Sequence, residues 1–321
     1  MKSETQNTYI DLSTLTKAPV DIVCPSCRSN QFVVSSENDG EADVSCAQCD
    51  AKFSIENGFL NLVVGERFED DSGSECLCYE EESNRYTTEH YWIPLFRKMQ
   101  EGRSEKLRIL SIGCGIGREV DMLCDAGFDC VGIDNGNRAK IWPNRAYPNR
   151  FIMANGMHLP FEDEAFDVVY CGCVFPHVGV IGDSVNVSEN YESDRTALAS
   201  EMTRVVKQGG DVVVGSPNRT FPFDLFHGRD KGCYTPRYNR PAERFLLSAV
   251  DYKKIFYAGG NRSHSLLPVK GYWGFVGSKS SLKGTLLSLP VRFAFSLVST
   301  KLFAFLRGSV ISPWIMLRFK K

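Results

Sequence analysis

Residues 107–134, with the sequence LRILSIGCGIGREVDMLCDAGFDCVGID, decide the fold class of this chain. An apolar, strand-like run leads into a glycine-rich turn with the spacing G-x-G-x-G, a helix-like run follows, and a second apolar run ends at Asp134. This order is typical of a β-α-β unit whose glycines let the backbone approach a ligand closely. Arg118 stands where a dinucleotide-binding fingerprint needs its third glycine, which argues against NAD.

Short strand-like and helix-like runs continue to alternate after this unit. FIMAN, FDVVYCGCVF and DVVVGSP indicate strands, and TALASEMTRVV indicates a helix. Parallel strands need crossover connections, so the alternation predicts an α/β fold with a mostly parallel, doubly wound sheet. In the last third of the chain, DYKKIFYAGG predicts a helix, LLPVKGYWGFVG predicts a strand, and SPWIMLRFKK predicts an edge strand.

The net charge of the chain indicates which kinds of partner it is suited to bind. The 321 residues include 37 Lys and Arg and 39 Asp and Glu, for a formal net charge of −2. Nucleic-acid-binding proteins normally carry a basic excess, so this balance makes an RNA partner less favoured without excluding it. The first residues contain no apolar secretory-signal segment, which predicts a cytoplasmic protein.

Two C-x-x-C pairs predict a metal site near the start of the chain. Cys24 and Cys27 are separated by eighteen residues from Cys46 and Cys49, which matches the spacing of structural zinc sites. Each pair can aim two thiolates at one ion, and four thiolates leave no coordination position for water. The pairs therefore predict a structural Zn²⁺ in a zinc ribbon. The other cysteines are scattered, several in apolar runs, as expected in a reducing compartment.

Composition divides the chain into four parts. The predicted parts are a flexible tail (1–20), the zinc ribbon (21–64), an acidic exposed linker (65–89) and a main domain (90–321). Residues 282–307 are strongly apolar, but no window of about 18 residues is free of interruption, so this segment is not expected to span a bilayer. Packing in the core is the favoured interpretation, and an in-plane membrane helix or a lid over an apolar substrate is the alternative.

Four blocks in the main domain resemble the class I S-adenosylmethionine (SAM) methyltransferases of the type 11 branch. IGCGIG resembles the first SAM motif, and VGID resembles the strand that carries the ribose-binding acid. MANGMHLPFEDEAFDVVYC resembles the third and fourth strands, and EMTRVVKQGGDVVVGSPN resembles the run into the fifth strand. The resemblance implies a Rossmann-like, seven-stranded sheet that ends in an antiparallel hairpin, with SAM as the cofactor.

The resemblance also assigns cofactor-binding roles by position. It implies that the glycine turn holds the methionine portion of SAM, that Asp134 holds the ribose, that the MANGM block lines the adenine, and that the end of the fourth strand forms the pocket floor. The residues implied are Gly113, Cys114, Gly115, Gly117, Asp134, Asn155, Gly156, Met157 and Cys173. Two positions depart from the family: Ser111 replaces an acidic residue, and Asn155 replaces an Asp. Asn155 can accept a hydrogen bond but carries no charge, so we expect weaker SAM binding.

The ribbon segment has a resemblance of its own. CPSC followed by CAQCDAKFSIENGFLNLV is similar to the ribbons of small activator subunits that partner tRNA, rRNA and protein methyltransferases, and to the ribbon fused to rRNA guanine-N1 methyltransferases, which helps to hold RNA. The resemblance implies a protein partner or an RNA substrate. The segment contains only two cations, Arg28 and Lys52, which are few for phosphate contacts.

Catalytic candidates follow the fourth and fifth strands, because open α/β sheets bind ligands beyond the carboxyl ends of their strands. His177 is the first candidate base, with packing at the cofactor edge as the alternative. Asp224 and His227 lie in the segment 216–245, which resembles the substrate loop of methyltransferases of glycan and lipid biosynthesis. They could form an acid–base pair, although a simple lid would have the same composition. Arg237 in the same segment could bind a phosphate, although solvated surface is the favoured interpretation.

These observations predict a SAM-dependent methyltransferase for a small metabolite, with a glycan- or lipid-linked acceptor as the preferred class. An RNA methyltransferase that uses its ribbon to bind RNA is one alternative, and a SAM-binding scaffold without turnover is another. The predicted location is the cytoplasm, including the inner face of a membrane.

Overall fold

The computed structural model describes most of the chain. The described residues are 9–12, 17–38, 41–65, 67, 74–182, 185–227, 237–240, 242, 244–261, 263–275 and 282–321. Within them, one sheet of twelve strands separates two layers of apolar side chains, and two further strands form a small hairpin sheet.

The strand bounds follow the chain. They are β1 (Tyr9–Ile10), β2 (Phe32–Asn38), β3 (Glu41–Cys46), β4 (Lys52–Glu56), β5 (Phe59–Asn61), β6 (Arg108–Ile112), β7 (Asp129–Asp134), β8 (Phe151–Met153), β9 (Phe166–Gly172), β10 (Val206–Pro217), β11 (Phe223–Asp224), β12 (Arg237–Tyr238), β13 (Ser263–Leu266) and β14 (Trp314–Lys320). The order across the large sheet is β1-β2-β3-β4-β5-β8-β7-β6-β9-β10-β14-β13, and β11 pairs with β12.

The helices lie between these strands. They are α1 (Ser74–Thr87), α2 (Ile93–Gln100), α3 (Arg118–Asp125), α4 (Tyr191–Val205), α5 (Ala249–Ala258) and α6 (Leu282–Ser299). A π-helical turn, Thr88–Trp92, joins α1 to α2. Short 3₁₀ turns lie at Asn137–Asn144, Pro148–Arg150, Phe175–His177 and Ala304–Leu306.

Seven strands form the predicted Rossmann-like sheet, in the order β8-β7-β6-β9-β10-β14-β13. The first five are parallel, and β14 and β13 complete the sheet as an antiparallel hairpin. Neighbouring side chains of one strand enter opposite apolar layers, as Ile109 and Leu110 do. Burial on both faces explains why these strands are continuous apolar runs. The predicted fold class is confirmed.

The ribbon is continuous with this sheet. Its last strand, β5, pairs in parallel with β8 through Asn61 and Met153, and the next N–H, that of Leu62, donates to the Met153 carbonyl at 2.8 Å. Phe32 and Leu60 enter the same apolar layer as Ile152. The predicted ribbon therefore shares its core with the main domain, and its end reaches the cofactor half of the sheet.

Two predicted irregular segments have regular structure. In the segment 1–20, predicted as a flexible tail, Tyr9–Ile10 pairs with β2 and Leu12 is completely buried. In the segment 65–89, predicted as an exposed linker, α1 forms and the Thr87 hydroxyl donates to the Tyr272 carbonyl at 2.6 Å inside the protein. For these described residues the predictions were wrong, because long-range contacts order sequences with little apolar periodicity of their own.

The C-terminal third departs from prediction in two places. The predicted strand LLPVKGYWGFVG contributes only Leu266 to β13, since Pro268 has no N–H for a ladder and the chain turns at Gly271 with φ 88°. The last predicted strand is β14, but it lies between β10 and β13 and is not an edge strand. Among the described residues, no helix combines the length and apolar character needed to cross a bilayer.

Candidate active site

The glycine turn after β6 brings the backbone close to its neighbours. Gly113 and Gly115 have φ angles of 69° and 51°, in the left-handed region that favours glycine. A Cβ atom at Gly113 would lie 2.5 Å from the Val174 side chain, and one at Gly115 would collide with the Glu80 carboxylate. The turn therefore packs so closely against Val174 and Glu80 that only glycine fits at these two positions.

A cleft of about 830 Å³ opens at this turn. Most of the predicted cofactor residues line it, together with the predicted base: Gly113, Gly115, Asp134, Asn155, Gly156, Met157, Cys173 and His177. Two predicted cofactor residues do not. The Cys114 side chain is buried beneath the turn beside Gly132, where burial raises its pKa, and Gly117 begins α3 beneath the Phe151 ring.

Asp134, at the end of β7, holds the turn in place. Its two carboxylate oxygens accept hydrogen bonds from the N–H groups of Gly115 and Gly136, both at 2.8 Å. Burial raises the pKa of Asp134, although these N–H groups and the Arg138 cation oppose the rise. The carboxylate predicted to meet the ribose thus lies on the cleft wall and also fixes the loop.

Glu80 on α1 is a site residue that sequence reasoning missed. Its Oε2 accepts from the Arg138 guanidinium at 2.5 Å, and its Oε1 accepts from the Ile116 N–H at 3.4 Å. Glu80 and Arg138 both line the cleft. The acidic composition of this segment gave no signal, because a run of Glu is equally typical of an exposed linker.

The hydrogen bonds of Asn155 explain why the chain has an amide where the family has an Asp. Its Nδ2 donates to the carbonyl of Val64, the last residue of the predicted ribbon, at 3.0 Å, and its Oδ1 accepts from the Met157 N–H at 3.0 Å. An Asp at this position would have no amide N–H to donate. The amide therefore joins the ribbon to the cleft.

The other departure, Ser111, is accompanied by a carboxylate from a neighbouring element. The Ser111 hydroxyl donates to Glu119 on α3, and the Tyr170 hydroxyl donates to the same Oε1 at 3.1 Å. Burial raises the pKa of Glu119 to about 7, and these two hydrogen bonds limit the rise. Glu119, on the helix that follows β6, therefore places a carboxylate beside Ser111, where the family carries an acidic residue on the strand itself.

A cluster of Cys173, His177, His227 and Asp224 lies beside the cleft, and two of its members, Cys173 and His177, line the cleft wall. Cys173 follows β9 with φ 59°, a left-handed conformation that is rare for a residue with a side chain. Its Sγ lies 3.3 Å from His227 Nε2, and His227 Nδ1 lies 3.0 Å from Asp224 Oδ2. The ring centroids of His177 and His227 are 5.1 Å apart. The fold therefore brings the three predicted catalytic residues together with Cys173.

Asp224 is completely buried, and the described part of the chain gives it five hydrogen-bond contacts. Besides His227 Nδ1, it accepts from the N–H groups of Phe226 and His227 and from Nε and Nη2 of Arg237 at 3.0–3.1 Å. Burial alone would raise its pKa, but His227 and Arg237 hold the pKa below its usual value. Arg237, considered above as a phosphate ligand or solvated surface residue, is instead the buried partner of Asp224.

The two histidines differ in charge. Burial opposes the His227 cation, but the Cys173 sulfur and the Asp224 carboxylate outweigh burial and raise the His227 pKa to about 10. Desolvation in the cleft and the His227 cation lower the pKa of His177. A charged His227 and a neutral His177 therefore stand side by side at the end of the cleft.

The four ribbon cysteines meet at a second location. The Sγ atoms of Cys24 and Cys49 are 3.7 Å apart, those of Cys27 and Cys46 are 3.5 Å apart, and all four lie within 4.8 Å of one another. A tetrahedral ion with four Zn–S bonds of about 2.3 Å has sulfur atoms about 3.8 Å apart. The cluster fits that geometry.

The central part of the chain matches a family of known proteins. Residues 110–214 match the family model described as a methyltransferase domain. The sterol 4-C-methyltransferase strm-1 of Caenorhabditis elegans is 25% identical over 182 residues, which is 50% of this chain and 50% of that protein. The 2-methyl-6-phytyl-1,4-hydroquinone methyltransferase of Synechocystis is 32% identical over 116 residues, or 35% of this chain and 32% of that protein.

The chain also aligns with a solved structure. A SAM-dependent methyltransferase from Archaeoglobus fulgidus aligns over 77% of this chain and 99% of its own, with 17% identity and a TM-score of 0.45. The chain spans about half the length, or less, of the two curated relatives above. Residues 110–214 thus match a methyltransferase domain, and the glycine turn and the sheet topology agree with the predicted class, the class I SAM-dependent methyltransferases.

Proposed function

We propose that this chain transfers a methyl group from SAM to a small, lipid-linked acceptor. The observation that carries the proposal is a single cleft lined by the glycine turn, Asp134, Cys173 and His177, with His227 in contact with Cys173 and His177. The two curated relatives above are named for a sterol and a phytylhydroquinone, which are both apolar acceptors. A lipid-like acceptor is therefore the preferred class, and a glycan-linked one is the alternative.

The residues of the turn suit SAM. The Gly113–Gly115 backbone would hold the methionine portion, Asp134 would accept from the ribose hydroxyls, and the block from Asn155 to Met157 would line the adenine. When bound, SAM supplies a methyl group that its sulfonium has already activated. The protein therefore has to position the acceptor and remove its proton.

The Cys173–His177–His227 cluster can handle that proton. His177 is neutral and lines the cleft, so it is the candidate general base. Asp224 fixes the ring of His227 through Nδ1, and the His227 cation keeps the pKa of its neighbour low. Asp224 and His227 are accordingly assigned to positioning the base and the acceptor.

The test uses purified protein, SAM with a labelled methyl group and a lysate separated into lipid, RNA, protein and small-molecule fractions. We expect label in the lipid fraction, a loss of transfer of 100-fold or more (on the order of a general base's contribution) in His177→Ala, and unchanged transfer in the control His264→Ala, on β13. Label confined to RNA would contradict the proposal. SAM binding without label in any fraction would favour the scaffold alternative.

The ribbon contacts do not favour RNA. Arg28 is one of the two cations between residues 21 and 64, and its guanidinium donates to the Leu159 carbonyl at 2.7 Å and to Glu201 at 2.8 Å. This cation is engaged with the main domain and is not free to meet a phosphate.

We also propose that the four ribbon cysteines hold a structural Zn²⁺ and that the ribbon acts within its own chain. The support is the pairing of β5 with β8 and the hydrogen bond from Asn155 to Val64, which place the ribbon's end at the cofactor cleft. The partner of this activator-like ribbon would then be the methyltransferase domain that follows it.

We further propose that α6 contacts a membrane surface. On α6, the apolar side chains of Leu282, Leu286, Leu289 and Phe293 follow helical spacing and are 52–78% exposed. After Asp251 the chain contains twelve of its 37 Lys and Arg and none of its 39 Asp and Glu. An exposed apolar stripe in a region whose Lys and Arg residues are not balanced by Asp or Glu is typical of an element that lies on an anionic bilayer surface.

The membrane-facing side is connected to the site through the core. Phe295 and Val298, also on α6, are buried in the same apolar cluster as Phe226, the neighbour of His227. The test is co-sedimentation with phosphatidylglycerol-containing vesicles. We expect binding that weakens with salt and with Phe293→Glu, but not with the control Val250→Glu, an equally exposed apolar residue on α5. Equal binding by both variants would contradict the proposal.

A further inference from the structure

We infer that Cys173, His177 and His227 form a second metal site, which binds one zinc-class divalent cation beside the cleft. Their ligand atoms all lie within 4.8 Å of one another, although His227 lies 54 positions after Cys173 in the sequence. One sulfur and two imidazole nitrogens are ligands that Zn²⁺ prefers. The site is separate from the four-cysteine cluster of the ribbon.

The distances suit such an ion. With Zn–S near 2.3 Å and Zn–N near 2.0 Å, a tetrahedral site has a sulfur-to-nitrogen distance of about 3.5 Å. Cys173 Sγ and His227 Nε2 are 3.3 Å apart. His177 is the outer member and is exposed toward the cleft, so a change in its side-chain torsions can bring its nitrogen into the coordination sphere.

The surroundings of His227 favour a metal-ligating role. A histidine that binds a metal usually donates its other ring N–H to a carboxylate, which fixes the tautomer and the ring. His227 Nδ1 lies 3.0 Å from Asp224, and two nitrogens of Arg237 and two backbone N–H groups hold that carboxylate in turn. The arrangement leaves Nε2 directed at Cys173. A cation would replace the proton that Nε2 and the thiol share.

The backbone conformation of Cys173 also favours a metal-ligating role. Its φ of 59° is held by the N–H, which donates to the Gly215 carbonyl at 2.7 Å. A left-handed residue at the end of a central strand is a strained conformation of the kind that concentrates at functional sites. The strain turns the thiol toward His227 at the edge of the cleft.

Three protein ligands leave a fourth position open toward the cleft. A zinc ion with an open position lowers the pKa of a bound hydroxyl or thiol, so the class of ligand expected there is an acceptor with an O–H or S–H group. The histidines would then act on the acceptor through the ion instead of as free bases. This role rests on the proposed function, whereas ion binding does not.

The test counts metal in the full-length protein without SAM or acceptor. We expect two zinc ions per chain in the wild type, one in Cys173→Ser, and two in the control Cys124→Ser, which replaces a half-buried cysteine on α3. Circular dichroism establishes that each variant is folded. The same count in wild type and folded Cys173→Ser would overturn the inference, as would a wild type with one ion.

A second measurement keeps the test independent of the folding of one variant. With Co²⁺ in place of zinc, His177→Ala should retain the sulfur-to-cobalt absorption of the ribbon and lose the spectrum of the second site. Asp224→Asn should weaken the second ion by about 10- to 100-fold in a chelator competition. Two sites with unchanged spectra and affinity in both variants would overturn the inference. Methyl transfer is not measured, so failure here is distinct from failure of the proposed function.

Discussion

Asn155 connects two distant parts of the chain through one amide group. In Asn155→Asp the Oδ1 acceptor for Met157 remains, but the N–H that reaches Val64 is lost and a carboxylate oxygen faces the Val64 carbonyl. We expect the free energy of unfolding to fall by about 1–3 kcal/mol, the cost of leaving a buried polar group without its partner. Urea unfolding monitored by tryptophan fluorescence measures the change.

The matched control is Asn149→Asp. Asn149 also donates from Nδ2 to a carbonyl, that of Lys17, at 2.9 Å, but this pair is exposed to solvent. Water replaces the lost contact there, so we expect a change below about 0.5 kcal/mol. If both variants lost the same free energy of unfolding, the hydrogen bond from Asn155 to Val64 would stabilise the protein no more than the exposed one from Asn149.

Glu119 predicts a pH dependence of stability. Its pKa of about 7 in the folded protein exceeds the ordinary value of 4.5. Between those pH values the folded state keeps a proton that the unfolded state has released, so this residue's contribution to stability falls as pH rises from 4.5 to about 7.

Glu119→Gln should remove that dependence. The amide can still accept from Ser111 and Tyr170, and it has no charge to desolvate. We expect the variant to lose less stability than the wild type between pH 5 and pH 8 in urea unfolding. The control Glu162→Gln, at an exposed position, should keep the wild-type profile. If the stability of Glu119→Gln fell with pH as steeply as that of the wild type, the raised pKa of Glu119 would not be the cause of the pH dependence.

At the scale of elements, α1 carries Glu80, a residue of the proposed cofactor cleft, on a segment with no apolar pattern. Glu80→Gln removes the charge that holds Arg138 beside the glycine turn. We expect SAM to bind about 5- to 30-fold more weakly, the equivalent of 1–2 kcal/mol. Isothermal titration calorimetry measures the affinity, and Glu82→Gln, on the exposed side of α1, should bind SAM as the wild type does.

The ribbon should also influence the cleft. Cys49→Ser removes one predicted zinc ligand, and Cys78→Ser removes an equally exposed cysteine on α1 as the control. Because β5 pairs with β8 and Val64 meets Asn155, we expect only Cys49→Ser to lose one zinc ion and to bind SAM more weakly. Normal SAM binding after loss of this ion would show that the ribbon and the cleft are independent.

At the scale of the whole molecule, one sheet joins two units that the sequence separates. The ribbon and main-domain strands share a sheet and an apolar layer. We therefore expect a single unfolding transition in differential scanning calorimetry, with a midpoint that falls when a chelator removes the ribbon ion. Two separate transitions, with only the smaller one sensitive to the chelator, would contradict the shared core.

The sequence by itself determined the features that depend on local spacing. The glycine turn, the strand ending at Asp134 and the two C-x-x-C pairs each occupy a few neighbouring residues, and backbone geometry ties such patterns to one conformation. Alternating strands and helices likewise determined the parallel sheet, because crossover connections leave few other topologies.

Only the tertiary structure decided which distant residues meet. No local pattern shows that Glu80 reaches the turn or that Asn155 holds Val64. The sequence singled out Asp224 and His227 as a pair, but the contact of His227 with Cys173 depends on how the loop after β10 folds back over β9. Such contacts arise from the packing of the whole sheet and its loops, and their partners are separated by too many residues for sequence spacing to specify them.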